Sequence, residues 1–156
     1  MDSLARREAE CGEYIVFRVA EQSFCVDIMT VREIRGWSAE TRLPQSPDYV
    51  RGVTNLRGAV LPIIDASIRL GLPSAGPSTR SVTIVLQHEQ RLAGLLVDEV
   101  SDIVTVAVGD IQPTPDLAST AQDGFVCGLI SMNRELISKV SVEHLLFRTV
   151  QATVAA

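Results

Sequence analysis

Aromatic residues make up only 4% of this 156-residue chain, so any core it builds has to be aliphatic. Long apolar runs are missing as well, and none approaches the length needed to cross a bilayer as a helix. The amino terminus, Met1 to Glu13, is charged and lacks a secretory h-region, which predicts a cytoplasmic protein. Cysteine is scarce: Cys11, Cys25 and Cys127 are odd in number, have no CxxC spacing, and read as free thiols. An excess of basic residues is also absent. The net charge of −5 and pI of about 5.0 argue against nucleic acid as the main partner, because phosphate binding needs a clustered basic surface. The only histidines, His88 and His144, have no second ligand at metal spacing and read as solvent-exposed, one in a hairpin turn and one on a terminal helix.

What is present is valine, isoleucine and leucine within a hydrophobic fraction of 46%, enough to fill a core. The β-branched pair favours strands. Ile15, Phe17 and Val19 alternate with Val16 and Arg18. After a turn at Ala20 to Ser23, Phe24, Val26 and Ile28 alternate with Cys25 and Asp27, predicting a hairpin. Val31, Glu33 and Arg35 are then expected to share one face of an extended segment, with Arg32 and Ile34 on the other. Leu43 to Pro47 is a rigid connector. Asn55 to Gly58 is a turn candidate between two short strands, and Asp65 is placed to cap one helical turn, Ala66 to Leu70, closed by Gly71 and Pro73. In the second half, Val82 to Leu86 and Leu92 to Val97 flank a polar turn, a Pro-containing loop runs from Gln112 to Asp123, and Leu136 to Val140 follows a turn around Met132 to Arg134. Ser141 is predicted to cap a terminal helix with Val142, Leu145, Leu146 and Val150 on one face.

The halves resemble each other in order. Glu21-Gln22-Ser23-Phe24 answers Glu89-Gln90-Arg91-Leu92, and Val31-Arg32-Glu33-Ile34 answers Val100-Ser101-Asp102-Ile103. Val50, Gly52, Leu56, Ile64 and Leu70 answer Val126, Gly128, Met132, Val140 and Leu146 at a constant offset. A duplicated β unit accounts for this, and many short strands at near-regular spacing point to two small barrels packed as one all-β body.

Catalytic signals are thin. G-x-S-x-G, the P-loop and G-x-G-x-x-G are all missing. Asp98 and Glu99 are neighbours, and in a strand they would point to opposite faces, so they form no acid/base pair. Asp27, Asp65 and Asp102 read as strand-end or capping residues, and Cys25 and Cys127 as packed rather than nucleophilic. A small all-β hydrolase using Asp98 or Asp65 would need converging polar residues that the sequence does not offer.

The most unusual stretch is Val50 to Asp65. Gly52 and Gly58 bracket a short hairpin where the backbone bends tightly. Arg57 sits in the turn, placed to reach another segment, with Glu33 as an intramolecular partner. This stretch resembles the signature of the CheW family, coupling proteins of bacterial chemotaxis. Phe24-Cys25-Val26-Asp27-Ile28, Val31-Arg32-Glu33-Ile34, Val50-Arg51-Gly52-Val53-Thr54-Asn55-Leu56-Arg57-Gly58, Gly94 to Val100, and Val142-Glu143-His144-Leu145-Leu146 carry the resemblance in order.

The resemblance implies two interlocked five-stranded β-barrels with a C-terminal helix over residues 13–147, in approximate halves 13–72 and 82–147. A polar leader would occupy 1–12 and a tail 148–156. It implies no catalysis and no cofactor. It also implies coupling of chemoreceptor cytoplasmic tips, docked in a groove between the barrels, to the regulatory domain of a CheA-type histidine kinase, with other CheW-like domains joining in rings. There would be no nucleic-acid contact and no membrane insertion. By motif, Val31, Glu33 and Ile34 fall on the partner-binding strand. Gly52, Asn55, Leu56, Arg57 and Gly58 fall in the signature block, and Val82, Gly94 and Val100 at apolar positions around the groove. The same domain in another two-component pathway is the alternative. Departures include Cys25 for glycine, Ser67 for arginine, Asn133-Arg134 for an Asp-Gly turn, Ser138 and Lys139 in an apolar strand, and Ser141 for aspartate. Lys139 is expected on a sheet edge or with its ammonium reaching water, since a buried lysine is costly.

Overall fold

A computed structural model describes residues 11–74, 76–114 and 124–147. Ten strands form: β1 (Cys11–Val19), β2 (Gln22–Asp27), β3 (Val31–Gly36), β4 (Val50–Leu56), β5 (Ala59–Asp65), β6 (Val82–His88), β7 (Arg91–Val97), β8 (Glu99–Ala107), β9 (Val126–Met132) and β10 (Glu135–Val140). One helical turn, α1 (Ala66–Arg69), follows β5, and a short segment with π-type turns, Glu143–Phe147, follows β10.

The strands make two five-stranded sheets, ordered β8-β1-β2-β10-β9 and β3-β6-β7-β5-β4. Advancing every label by half the set converts the first order into the second. Each sheet therefore takes the first two strands of one half and the last three of the other, so the halves are interlocked through strand exchange. The duplication extends to irregularities. β3 skips Arg32 against β6, and β8 skips the equivalent Ser101 against β1. β4 skips Arg51 against β5, and β9 skips the equivalent Cys127 against β10. Parallel pairing joins Ile63 to Gly94 in one sheet and Lys139 to Cys25 in the other. Even the isolated bridges correspond, Thr41 with Val53 and Gln112 with Leu129.

The skipped Arg32 is a β-bulge, and it corrects the alternation expected for β3. Val31 lies opposite Leu86, whereas Glu33 lies opposite Val85, and those neighbours on β6 face opposite ways. Val31 therefore packs on the main core while Glu33 faces the smaller cluster of Leu56, Leu61, Ile63, Val85 and Leu96. A third cluster, Tyr14, Val16, Cys25, Val106, Ile130 and Ile137, is its counterpart in the other sheet. The main core joins both halves, with Phe17 stacked on Phe24 at 6.0 Å among aliphatic side chains.

Strand β1 starts at Cys11, inside the expected leader, because its pairing with β8 extends to Cys11–Ala107. Tight turns take up positive φ without glycine at Ala20 (49°), Glu21 (68°), Asn133 (53°) and Arg134 (63°). Strand twist selects this turn shape and the residues there bear the strain. The Ala20 N–H is held by an Asp98 carboxylate oxygen at 2.8 Å.

Asp65 caps α1 as expected, accepting from the Ser67 and Ile68 amides at 3.0 and 3.3 Å, and Gly71 closes the turn at φ 74°. Ser141 occupies the equivalent place and its hydroxyl accepts from the His144 amide at 3.3 Å. The terminal helix expected after it is only the Glu143–Phe147 segment among the described residues, with Leu145 and Leu146 buried. Val150 and most of the 112–123 loop lie outside the described residues. His88 is the last residue of β6, paired with Arg91, and is not in the turn. Its ring stacks on Phe147 at 5.9 Å, so the expectation of full exposure gives way to a half-buried ring.

Candidate partner-binding surface

Strand β3, the β4–β5 turn and the start of β7 enclose an open cleft of about 320 Å³ lined by Val31, Arg32, Glu33, Leu56, Arg57 and Leu92. The turn itself is preset. Arg57 holds φ 51° and Gly58 φ 90°, and the Asn55 side-chain oxygen accepts the Gly58 N–H at 2.9 Å. From there the Arg57 guanidinium forms an ion pair with the Glu33 carboxylate. Strands β3 and β4 are the two edges of their sheet, so this pair reaches from one edge to the hairpin of the other. Reciprocal hydrogen bonds between Thr41 and Val53, both 2.8 Å, tie β4 to the segment that follows β3. Edge strands left open invite wrong pairing, and these contacts cover part of the β4 edge.

Other sequence-selected residues lie elsewhere. Gly52 is buried, and a Cβ there would sit 2.3 Å from the Thr41 carbonyl oxygen, so it permits the close approach of the Thr41 segment to β4. Gly94 is buried too, where a Cβ would lie 2.7 Å from both Ile63 and Thr83 side-chain carbons. Val82 and Val100 are half-buried against the main core, away from the cleft, and Ile34 is exposed on β3.

Several contacts escaped the sequence reading. Glu40 and Asp65 are almost fully buried carboxylates that flank Arg51, whose Nε lies 3.0 Å from Glu40 and whose Nη1 lies 3.6 Å from Asp65. The Trp37 indole N–H donates to the same Glu40 oxygen at 2.8 Å. Glu40 comes from a segment without periodicity, so no pattern in the sequence marked it. Arg69 is sandwiched between the rings of Tyr49 (4.5 Å) and Phe125 (4.3 Å) and donates to the Leu145 and His144 carbonyls at 2.8 and 3.1 Å. Burial pulls its guanidinium below the ordinary value. It thus ties α1 to the carboxy-terminal segment.

Exposed apolar side chains repeat across the duplication: Ile34 with Ile103, and Val60 with Leu136. Lys139 is not on an edge, since β10 lies between β2 and β9. It is half-buried with its ammonium over the Tyr14 ring at 5.4 Å, so the edge placement expected for it does not hold. Asp102 stands in mid-strand β8, contrary to the capping expectation, because β8 runs on to Ala107.

The cysteines divide by environment. Cys25 is fully buried, and burial pushes its thiol up to about 12. Cys127, expected to be packed, is exposed because it is the skipped residue of the β9 bulge. Cys11 is exposed at the start of β1. A thiol titration of native protein near pH 8 is expected to count Cys11 and Cys127 promptly and Cys25 only after denaturation. Prompt reaction of all three would contradict the packing around Cys25. Since the Cys25 thiol is raised on folding, its neutral form contributes stability that is present below about pH 9 and is lost towards pH 12.

Comparison with known proteins agrees with this geometry. The CheW-like domain family matches residues 13–149. The chemotaxis protein CheW of Rhizobium meliloti (strain 1021) is 54% identical over 131 residues, covering 84% of each chain. A probable chemotaxis protein CheW of Rhizobium etli is 50% identical over 137 residues, covering 88% of each. The crystal structure of the scaffolding protein TtCheW from Thermoanaerobacter tengcongensis superposes with a TM-score of 0.82 at 30% identity, covering 88% of this chain and 93% of that one. With the interlocked sheets, the repeated bulges and the signature hairpin all in place, the chain belongs to the CheW-like domain family.

Proposed function

We infer that this protein is a non-catalytic chemotaxis adaptor that couples the cytoplasmic tips of chemoreceptors to the regulatory domain of a CheA-type histidine kinase. The observation that carries the reading is the cleft closed by Glu33 and Arg57, built on the signature hairpin of a chain that matches CheW proteins over most of its length. Val31 and Leu56 supply apolar surface there, as an amphipathic receptor helix requires, while Ile34 is exposed on the other face of β3. Asn55, Arg57, Gly58 and Glu33 set its shape. Gly52, Gly94, Val82 and Val100 act from behind, by holding the sheets that carry the surface. The two carboxylates best placed for hydrolysis are already engaged: Asp65 by Ser67, Ile68 and Arg51, and Asp98 by Ala20. No helix among the described residues is long and apolar enough to cross a membrane, so the receptor would bring the adaptor to the membrane's inner face.

The test is a titration against the kinase regulatory domain and then a receptor-tip fragment. Saturable binding to both is expected. The Arg57→Ala variant should keep its fold, because an exposed ion pair contributes at most about 1 kcal/mol. It should lose roughly tenfold in affinity for at least one partner, or about 1.4 kcal/mol. Unchanged binding by that variant would place the functional surface elsewhere, and no binding by the wild type would remove the coupling role.

A further inference from the structure

The duplication sets a filled site in one half against an open one in the other. A cavity of about 320 Å³ lies under the carboxy-terminal segment, lined by Asp27, His88, Cys127, Ser141, Glu143 and His144. Register identifies its counterpart. Lys139 pairs with Cys25 as Ile63 pairs with Gly94, so Ser141 beside Asp27 corresponds to Asp65 beside Leu96. In that first-half site, Asp65, Ser67 and Leu96 border only about 10 Å³ of space, because Ser74, Gly76, Pro77 and Ser81 of the segment joining the halves close over them. A cation is in place there as well: Arg51, the skipped residue of β4, lies 3.6 Å from Asp65. The skipped residue of β9 is Cys127, which brings no cation to the open cavity. Among the described residues Glu143 forms no ion pair, while Asp27 accepts the Met29 amide at 2.9 Å. Lys139 also borders the cavity, with its ammonium over the Tyr14 ring.

We propose that residues 148–156 of this same chain dock in the cavity and close the second half as residues 74–80 close the first. The occupant follows from position, reach and chemistry. At the constant offset that relates the halves, 150–156 correspond to 74–80. The chain already stands at the rim, where Phe147 stacks on His88 at 5.9 Å and carries the Arg91 guanidinium 4.5 Å from its ring centre. From Phe147, residues 148–156 span up to about 30 Å, enough to cross a cavity of this size. Their sequence, Arg148-Thr149-Val150-Gln151-Ala152-Thr153-Val154-Ala155-Ala156, holds one charged side chain, a cation, and otherwise small apolar and neutral polar residues. Arg148 would bring to Glu143 the guanidinium that Arg51 brings to Asp65, and the valines and alanines match the Val140 and Val142 walls. The route differs from that of the first half. Gly71 turns the chain there at φ 74°, and Phe147 stands in its place, so the segment enters from the His88 side. This inference is independent of the coupling role.

Nuclear magnetic resonance of the full-length protein tests the proposal. The chain's only two histidines both line the cavity, so their ring protons report on it directly. Nuclear Overhauser contacts from the Val150 or Val154 methyl groups to the His88 or His144 rings are expected. In the full-length triple variant Arg148→Glu, Val150→Asp, Val154→Asp these contacts should vanish and both imidazoles should shift. Cys127 should then label about threefold faster than in the wild type, since the reagent reaches it only while the segment is away. Cys11 should label at an unchanged rate, and Cys25 should stay far slower than either in both proteins. Absence of the contacts in the wild type would overturn the proposal. So would contacts seen only between molecules in a mixed-label sample, which would assign the cavity to a second copy, or an unchanged Cys127 rate in a variant that circular dichroism shows to be folded. If the variant does not fold, the wild-type contacts decide alone.

Discussion

Gly52→Ala is expected to destabilise the protein by about 4 kcal/mol, a larger effect than any surface substitution in the signature hairpin. Two independent terms add. The added Cβ would stand 2.3 Å from the Thr41 carbonyl oxygen and 2.7 Å from its carbon, both backbone atoms that cannot swing aside. The φ of 147° is one that side-chain-bearing residues rarely adopt. Relief requires breaking the Thr41–Val53 bridge, which ties β4 to the segment that follows β3. For a chain of this size the change corresponds to a melting temperature lower by roughly 10 °C. Thermal denaturation followed by circular dichroism measures it. A shift within 2 °C or so would mean that the edges do not depend on this approach. Any loss of partner binding in this variant then reports an unfolded edge, since Gly52 is buried and offers no contact atom.

Arg51→Ala is expected to cost about 3 kcal/mol, at the lower end of the range for breaking a buried ion pair. The Glu40 and Asp65 side chains are only 6% and 5% exposed, so removing the guanidinium between them leaves two carboxylates largely cut off from water. Glu40 would retain the Trp37 indole, and Asp65 its Ser67 and Ile68 donors, which keeps the loss from being larger. Arg51→Met separates charge from packing, since it keeps the stem and drops the cation. If methionine restores stability fully, packing of the stem was the whole contribution. If it is as damaging as alanine, the paired charge was. Urea unfolding with a common slope reads both variants.

The contrast between adjacent Arg51 and Gly52 shows where sequence reasoning stops. Both belong to the stretch that stands out in the linear chain, and both act by joining that stretch to residues 41 and 40, from a segment with no pattern of its own. Arg57 is the opposite case. Its place in the turn and its pairing with Glu33 are legible, because a turn between two apolar strands has few residues and a long cationic side chain there has few acidic neighbours to reach.

Local information decided most of the secondary structure. Alternation of apolar residues, Asp65 ahead of α1, and glycines at turns depend on neighbours within a few positions. The duplication was legible too, because repeated strands repeat their valines and glycines in order. The linear chain therefore determined an all-β body of two related halves, the approximate strands, and the hairpin that carries the family signature. Tertiary structure alone decided which half each sheet draws its strands from, where Arg32, Arg51, Ser101 and Cys127 drop out of register, and that Glu33 consequently faces Arg57 while Val31 faces the core. A skipped residue reverses every side chain beyond it, and its position is set by the twist and length of a partner strand tens of residues away, which no local pattern records.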